Sequence, residues 1–243
     1  MTPRAPIAVV PATSLAWALP SGQTAHVRLS SAADGDFAVG QPADVLAARR
    51  RALVPLPWTW LHQVHGGRVV VVDEPGAHAG AHADAAVTAR PGAALAIQTA
   101  DCAPVALVAD EGVVAAVHVG WRGLLAGVLE AAADALRRAG GIRLRAVVGP
   151  CIQPCCYEFG AADLDRVVAR YGEGVRATTR SGRSALDMPA AVTSALAAIP
   201  VAEVTHAGPG CTSCGSPPMF SHRARGDTAR HAMVVWLERG VGE

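Results

Sequence analysis

Apolar positions recur with two different periods along this chain, and the changes of period mark its elements. Val69, Val70, Val71 and Val72 form a β-branched run stopped by Asp73, Pro75 and Gly76, which predicts a buried strand over 69–72 ending in a turn. Short apolar runs over 83–88, 94–98, 105–108 and 113–119 repeat this pattern at close spacing and predict the core of a sheet. The period then lengthens. Leu124, Val128, Ala131, Ala135 and Leu136 fall on one helical face, Glu130, Asp134, Arg137 and Arg138 lie largely off it, and Gly140-Gly141 ends the predicted helix over 123–139. Further strands are predicted over 144–148, 201–206 and 233–237, with helices over 161–170 and 189–199. Arg49-Arg50-Arg51 reads as the solvated face of another helix. The order is too irregular for a doubly wound parallel sheet. It predicts a mixed-sheet α/β or α+β domain spanning 1–243, without repeats or a dividing linker.

Composition narrows the packing and the partners. With 51% hydrophobic but only 4% aromatic residues, the core must be built from Ala, Val and Leu. A net charge of +1, from 21 basic and 20 acidic residues, gives no field that would recruit nucleic acid or an anionic membrane, and neither is expected as a partner. Early prolines and a short apolar stretch in the first segment fit a secretion signal poorly. No run approaches the roughly eighteen apolar residues of a membrane-spanning helix, so a cytoplasmic protein is expected. In such a chain the six cysteines, at 102, 151, 155, 156, 211 and 214, read as reduced thiols serving a metal or catalysis.

Three residues stand out at predicted element ends. His65 lies in Leu61-His62-Gln63-Val64-His65-Gly66, Cys102 in Thr99-Ala100-Asp101-Cys102-Ala103-Pro104, and His118 closes a strand before Gly120-Trp121-Arg122-Gly123. Each alone has a bland reading as a packed histidine or buried thiol. Together they are zinc-type donors, and three protein ligands leave the open position of a catalytic site. The later cysteines compete: Cys211-Thr212-Ser213-Cys214 is a C-x-x-C, and Cys151, Cys155 and Cys156 surround Pro154. A second zinc site, a redox pair and thiols packed beside an active site remain open readings. The nucleobase deaminase signature is absent, because no His has Glu two residues later. Arg122, Arg223, Arg225 and Arg230 are suited to phosphate or carboxylate, although each alone reads first as a surface charge.

Read in order, Gln63-Val64-His65-Gly66, Ala83-Asp84-Ala85, Thr99-Ala100-Asp101-Cys102-Ala103-Pro104-Val105, Val117-His118-Val119-Gly120-Trp121-Arg122-Gly123 and Gly149-Pro150-Cys151-Ile152 resemble the laccase-domain family, once called polyphenol oxidase. The resemblance covers roughly 46–237 and leaves 1–45 as the most divergent part. It implies a single α+β domain, a mixed β-sheet sandwich surrounded by helices. It further implies purine nucleoside phosphorylase activity, extending to methylthioadenosine, together with adenosine deaminase activity. Zinc would sit on His65, Cys102 and His118, with phosphate as co-substrate. Cys102 and His118 would form the catalytic group, with Asp101 orienting a ligand or taking a proton. Arg50, Gln63, Arg122, Cys211, Phe220 and Arg223 would line the substrate. The chain departs from the family pattern at His222, Ala224 and Ala229, where Tyr, Arg and Gly are usual, so part of the substrate wall is altered. Other readings of the same residues are a copper-dependent phenol oxidase, a metal-free cysteine hydrolase with His118 as base, and a nucleoside-binding protein without turnover.

Overall fold

The computed structural model describes residues 7–10 and 14–240. In chain order its first elements are β1 (Ile7–Val10), β2 (Ser14–Ala18), β3 (Thr24–Leu29), α1 (Ala43–Leu53), β4 (Trp58–His62), β5 (Val69–Val71), β6 (Ala81–His82) and β7 (Ala85–Thr88). The central stretch holds β8 (Ala94–Thr99), β9 (Ala103–Ala109), β10 (Val113–Val119), α2 (Trp121–Leu125), α3 (Val128–Arg138) and β11 (Leu144–Val148). Last come α4 (Ala161–Tyr171), β12 (Arg176–Thr178), β13 (Ser184–Leu186), α5 (Met188–Leu196), β14 (Val201–Ala207), α6 (His222–Arg225) and β15 (His231–Glu238).

Two mixed sheets stack as a sandwich. One has the order β1-β14-β11-β9-β10-β7-β5 and the other β2-β3-β15-β8-β4-β6, while β12 and β13 form a small separate pair. Between the sheets, Ala106 and Val108 of β9, Val114 and Ala116 of β10, Val27 of β3, Leu95 and Ile97 of β8 and Val235 of β15 make one core. Alternate residues of β9 and β10 point the other way, where Val105, Leu107, Ala115 and Val117 meet Leu124, Leu129, Ala132, Leu164 and Val192 of the helices. Both strands are therefore buried along their whole length, as expected of a sheet covered on both faces. On the far side of the second sheet, Phe37, Leu53 and Val54 pack on Trp58, Ala94, Ala96 and Val234. The α+β sandwich with flanking helices agrees with the sequence reading. Among the described residues no helix is long and apolar enough to cross a membrane.

Two local departures bear on the site. The helix expected over 123–139 is two helices, because Gly127 takes φ 75°, in the left-handed region that favours glycine. Leu124 and Val128 still share the buried face across that break. The strand expected over 83–88 begins at Ala85, after a bend at Asp84, whose main-chain carbonyl accepts from the His118 amide at 2.7 Å.

Candidate metal centre

Strand pairing gathers the ends of four strands at one edge of the sandwich. The start of β9 pairs with the end of β10 through Ala103 and Val119, β8 enters β9 through the 100–102 turn, and β4 runs parallel to β8. His65 follows β4, Cys102 occupies the turn and His118 lies near the end of β10, so residues distant in sequence converge. Their ligand atoms all lie within 4.8 Å of one another. The Cys102 Sγ is 3.8 Å from His65 Nε2, and the two imidazole rings sit edge to face with centroids 4.8 Å apart. His65 and Asp101 hold φ of 59° and 93°, conformations that cost non-glycine residues energy and cluster at functional sites.

Asp84, fully buried, organises this group. One carboxylate oxygen accepts from His118 Nδ1 at 2.8 Å and from the His65 amide at 2.8 Å, and the other accepts from the Gly66 amide at 2.7 Å. Burial would raise the Asp84 pKa, but the hydrogen bonds from His118, Gly66 and His65 outweigh it and hold the carboxyl below its ordinary value. An ionised carboxylate only accepts, so the His118 proton resides on Nδ1 and Nε2 is turned to the cluster. Gly120 supplies the space: a Cβ there would lie 2.8 Å from His65 Cδ2 and 3.1 Å from Cys102 Sγ.

Thiol and imidazole also set each other's charge. Burial pushes the Cys102 thiol up, yet the positive charge of His118 and hydrogen bonds from His118 and His65 prevail and lower it to about 6. Burial would lower His118, but the Cys102 charge and hydrogen bonds to Asp84 and Cys102 raise it to about 9. A thiolate and two imidazoles, one oriented by a buried carboxylate, fit a borderline-soft divalent metal with a remaining open position.

The trio forms part of the floor of a cleft of about 580 Å³, a volume suited to a small molecule. Gln63, Asp101, Arg122 and Arg223, expected from the sequence, line it. Gln63 uses both ends of its amide on the backbone of Gln98, donating at 2.7 Å and accepting at 2.8 Å. Asp101 accepts from Thr212 Oγ1 at 2.6 Å and from the Arg223 amide at 2.7 Å, fastening the late segment to the ligand turn. The Arg122 guanidinium lies 4.3 Å from the centre of the Trp121 ring and has no ion-pair partner among the described residues. Arg223 donates to Glu158 O at 2.6 Å and stacks over Tyr157.

Three expected substrate residues lie outside the cleft lining. Arg50 is wedged against Trp60 and Trp58, 4.9 and 5.7 Å from their ring centres, on the outer face of the second sheet, and burial lowers its pKa. Cys211 is buried among other cysteines, where its sulfur accepts from the Gln153 amide at 3.4 Å. Phe220 stacks on His231 at 4.6 Å. Sequence reasoning missed Asp84, although its segment carried part of the resemblance, and it missed Gln98, Tyr157 and the 38–40 loop, whereas Arg230, read from the sequence as suited to an anion, lines the cleft. Gln98 is 6% exposed, borders the cleft, and neither polar atom of its side chain has a protein partner.

A family model described as multi-copper polyphenol oxidoreductase laccase matches residues 28–238, beginning earlier than the resemblance traced from motifs. A purine nucleoside phosphorylase of Streptomyces griseus is 44% identical over 198 residues, covering 79% of each chain. One of Mycobacterium tuberculosis is 40% identical over 213 residues, covering 84% of each. Among solved structures, a Neisseria meningitidis protein superposes with a TM-score of 0.76 at 27% identity, covering 93% of this chain and 100% of its own. With the match spanning most of both sheets and all three candidate ligands, the chain belongs to the multi-copper polyphenol oxidoreductase laccase family.

Proposed function

We propose that this protein is a zinc-dependent purine nucleoside phosphorylase, acting also on methylthioadenosine and deaminating adenosine in the same cleft. The observation that carries the reading is a carboxylate-oriented His/Cys/His trio in the floor of a nucleoside-sized cleft bordered by Arg122, Arg223 and Arg230. The names of the curated relatives support the same substrate class. Zinc held by His65, Cys102 and His118 would supply a Lewis acid with one coordination position free for an incoming ligand.

In phosphorolysis a phosphate oxygen bonds to the sugar C1′ while the C1′–N9 bond breaks, and its electron pair leaves with the purine, which takes up a proton. Positive charge develops at C1′, so an anion held against that carbon lowers the barrier. Arg122, whose guanidinium has no hydrogen-bonding or ion-pair partner among the described residues, takes the phosphate in this reading, with Arg230 lining the same cleft. Burial keeps the Tyr157 phenol protonated, so it presents a hydrogen-bond donor to the cleft. The unpartnered amide of Gln98 offers one donor and one acceptor, the pairing needed to read a purine edge.

A cysteine-hydrolase reading has one observation in its favour: Asp84, His118 and Cys102 have the connectivity of an acid–base–nucleophile triad. It leaves the second imidazole, His65, without a part. Incubation of inosine or adenosine with the zinc-loaded protein should release ribose 1-phosphate only when phosphate is present, with ammonia from adenosine scored separately. Free ribose formed at an equal rate without phosphate would overturn phosphorolysis. Full turnover after exhaustive chelation would favour the thiol nucleophile.

A further inference from the structure

Behind the cleft wall lies a second group of donors that the reaction does not use. Cys155, Cys156, Cys211 and Cys214 bring their four sulfurs within 4.8 Å of one another, although the two pairs are far apart in sequence. Two of the separations are 3.7 Å, between Cys155 and Cys156, and 3.6 Å, between Cys155 and Cys214. A tetrahedral tetrathiolate with zinc–sulfur bonds of roughly 2.3 Å has sulfurs about 3.8 Å apart. A disulfide requires about 2.05 Å. The spacing is thus that of ligands around an ion, not of a bonded pair.

Local backbone geometry produces this arrangement. A turn closed by the Cys156 amide on Gln153 O at 3.0 Å and the Tyr157 amide on Pro154 O at 3.2 Å brings the consecutive thiols of Cys155 and Cys156 together. Cys211-Thr212-Ser213-Cys214 is curled by the Gly215 amide donating to Cys211 O at 2.7 Å, and a Cβ on Gly215 would clash with that carbonyl. The Gln153 amide donates to Cys211 Sγ, the kind of contact that supports a metal-bound thiolate. Arg225, donating to Ser213 O at 3.2 Å, places a cation beside what would be a dianionic centre. Cys151, buried with its thiol pKa raised by desolvation, stands outside the group.

We propose that Cys155, Cys156, Cys211 and Cys214 form a second, closed zinc site that staples the 154–157 turn to the 211–215 turn. Its role is positional. Tyr157 closes the first turn and lines the cleft, while Thr212, within the second, donates to Asp101 beside the candidate ligand Cys102. Four protein donors leave no position for substrate, so the site carries no turnover of its own.

The test isolates the second site by removing the first. Cys102→Ala protein, purified anaerobically without chelators, should retain about one zinc per chain by elemental analysis, and unaltered protein about two. Replacement by cobalt(II) in the Cys102→Ala background should give the intense sulfur-to-metal charge-transfer bands of a tetrathiolate. Cys155→Ser/Cys214→Ser in the otherwise unaltered chain should lower zinc from two to one. Because that variant risks misfolding, Cys214→Ser alone, at the exposed ligand, should shift the cobalt spectrum while the cooperative melt persists. A folded Cys102→Ala protein that binds neither zinc nor cobalt, with its remaining thiols freely reactive, would overturn the proposal. So would a disulfide among these cysteines that forms under the same anaerobic conditions.

Discussion

The two thiol-bearing clusters of this protein differ in donors, support and surroundings. His65, Cys102 and His118 mix nitrogen and sulfur, stand at strand ends tied to the buried Asp84, and face a cleft. Cys155, Cys156, Cys211 and Cys214 are all sulfur, stand on two turns and face one another. A three-donor set beside a cavity retains room for a reactant, whereas a four-donor set between two turns can only hold them together. On the proposed reading, rigid sheet edges would carry the chemistry and a sulfur staple would secure the wall that the sheet does not reach.

Asp84→Asn attacks the difference most strongly. A neutral amide cannot accept the same set of hydrogen bonds, so zinc affinity of the cleft should fall about 10- to 100-fold. The cysteine cluster should keep its metal, which competition against a chromophoric chelator will resolve as two separate steps. Parallel loss from both would mean that Asp84 supports the fold as a whole.

Inside the cleft, Arg122→Lys keeps the charge but loses the planar fork of donors. Phosphorolytic efficiency at low phosphate should drop by on the order of 1.5 to 3 kcal/mol, or one to two powers of ten, without change in zinc content or melting temperature. A normal phosphate saturation curve with a lowered melting temperature would assign Arg122 to the scaffold instead. The companion substitution Gln98→Leu should alter the preference between inosine and adenosine and leave the phosphate curve in place; an unaltered preference would remove Gln98 from base recognition.

Acidity offers a smaller and graded distinction. The metal-free trio carries a second proton on His118, at Nε2, up to about 9, and Cys102 takes one up below about 6. Metal must displace these protons, so its affinity for the cleft should rise with pH about tenfold per unit between those values, more steeply below, and level off above. Isothermal titration in buffers of different ionisation enthalpy counts the protons released. Release of none at neutral pH would contradict the thiolate–imidazolium pairing.

Much of this was legible in the chain, for reasons that differ by residue. The runs in β9, β10 and β11 are apolar without interruption because both sheet faces are covered, and such runs announce themselves. β3 carries the alternation of Ala25, Val27 and Leu29, all buried, but polar neighbours and a small alanine dilute its signal. The three candidate ligands could be picked out only in combination and by motif, since each alone reads first as a packed histidine or a buried thiol. Arg50 could not be placed, because an arginine between tryptophans looks the same in sequence as one awaiting phosphate. Nor could Gln98 and Asp84 be assigned roles: one is defined by a missing partner and the other by partners some twenty to thirty residues away.

The position of β15 has a consequence for how the molecule comes into being. This strand lies between β3 and β8, pairing Val235 with Val27 on one side and with Leu95 on the other. On a ribosome, the candidate ligands have all emerged long before residues 231–238, yet the second sheet then consists of two fragments with bare edges facing each other. Its closure waits for a contact spanning about two hundred positions, the sort of long-range pairing that slows folding and exposes intermediates to aggregation. A chain broken off before His231 would therefore possess every candidate donor for the catalytic ion and still lack the cavity in which to use it.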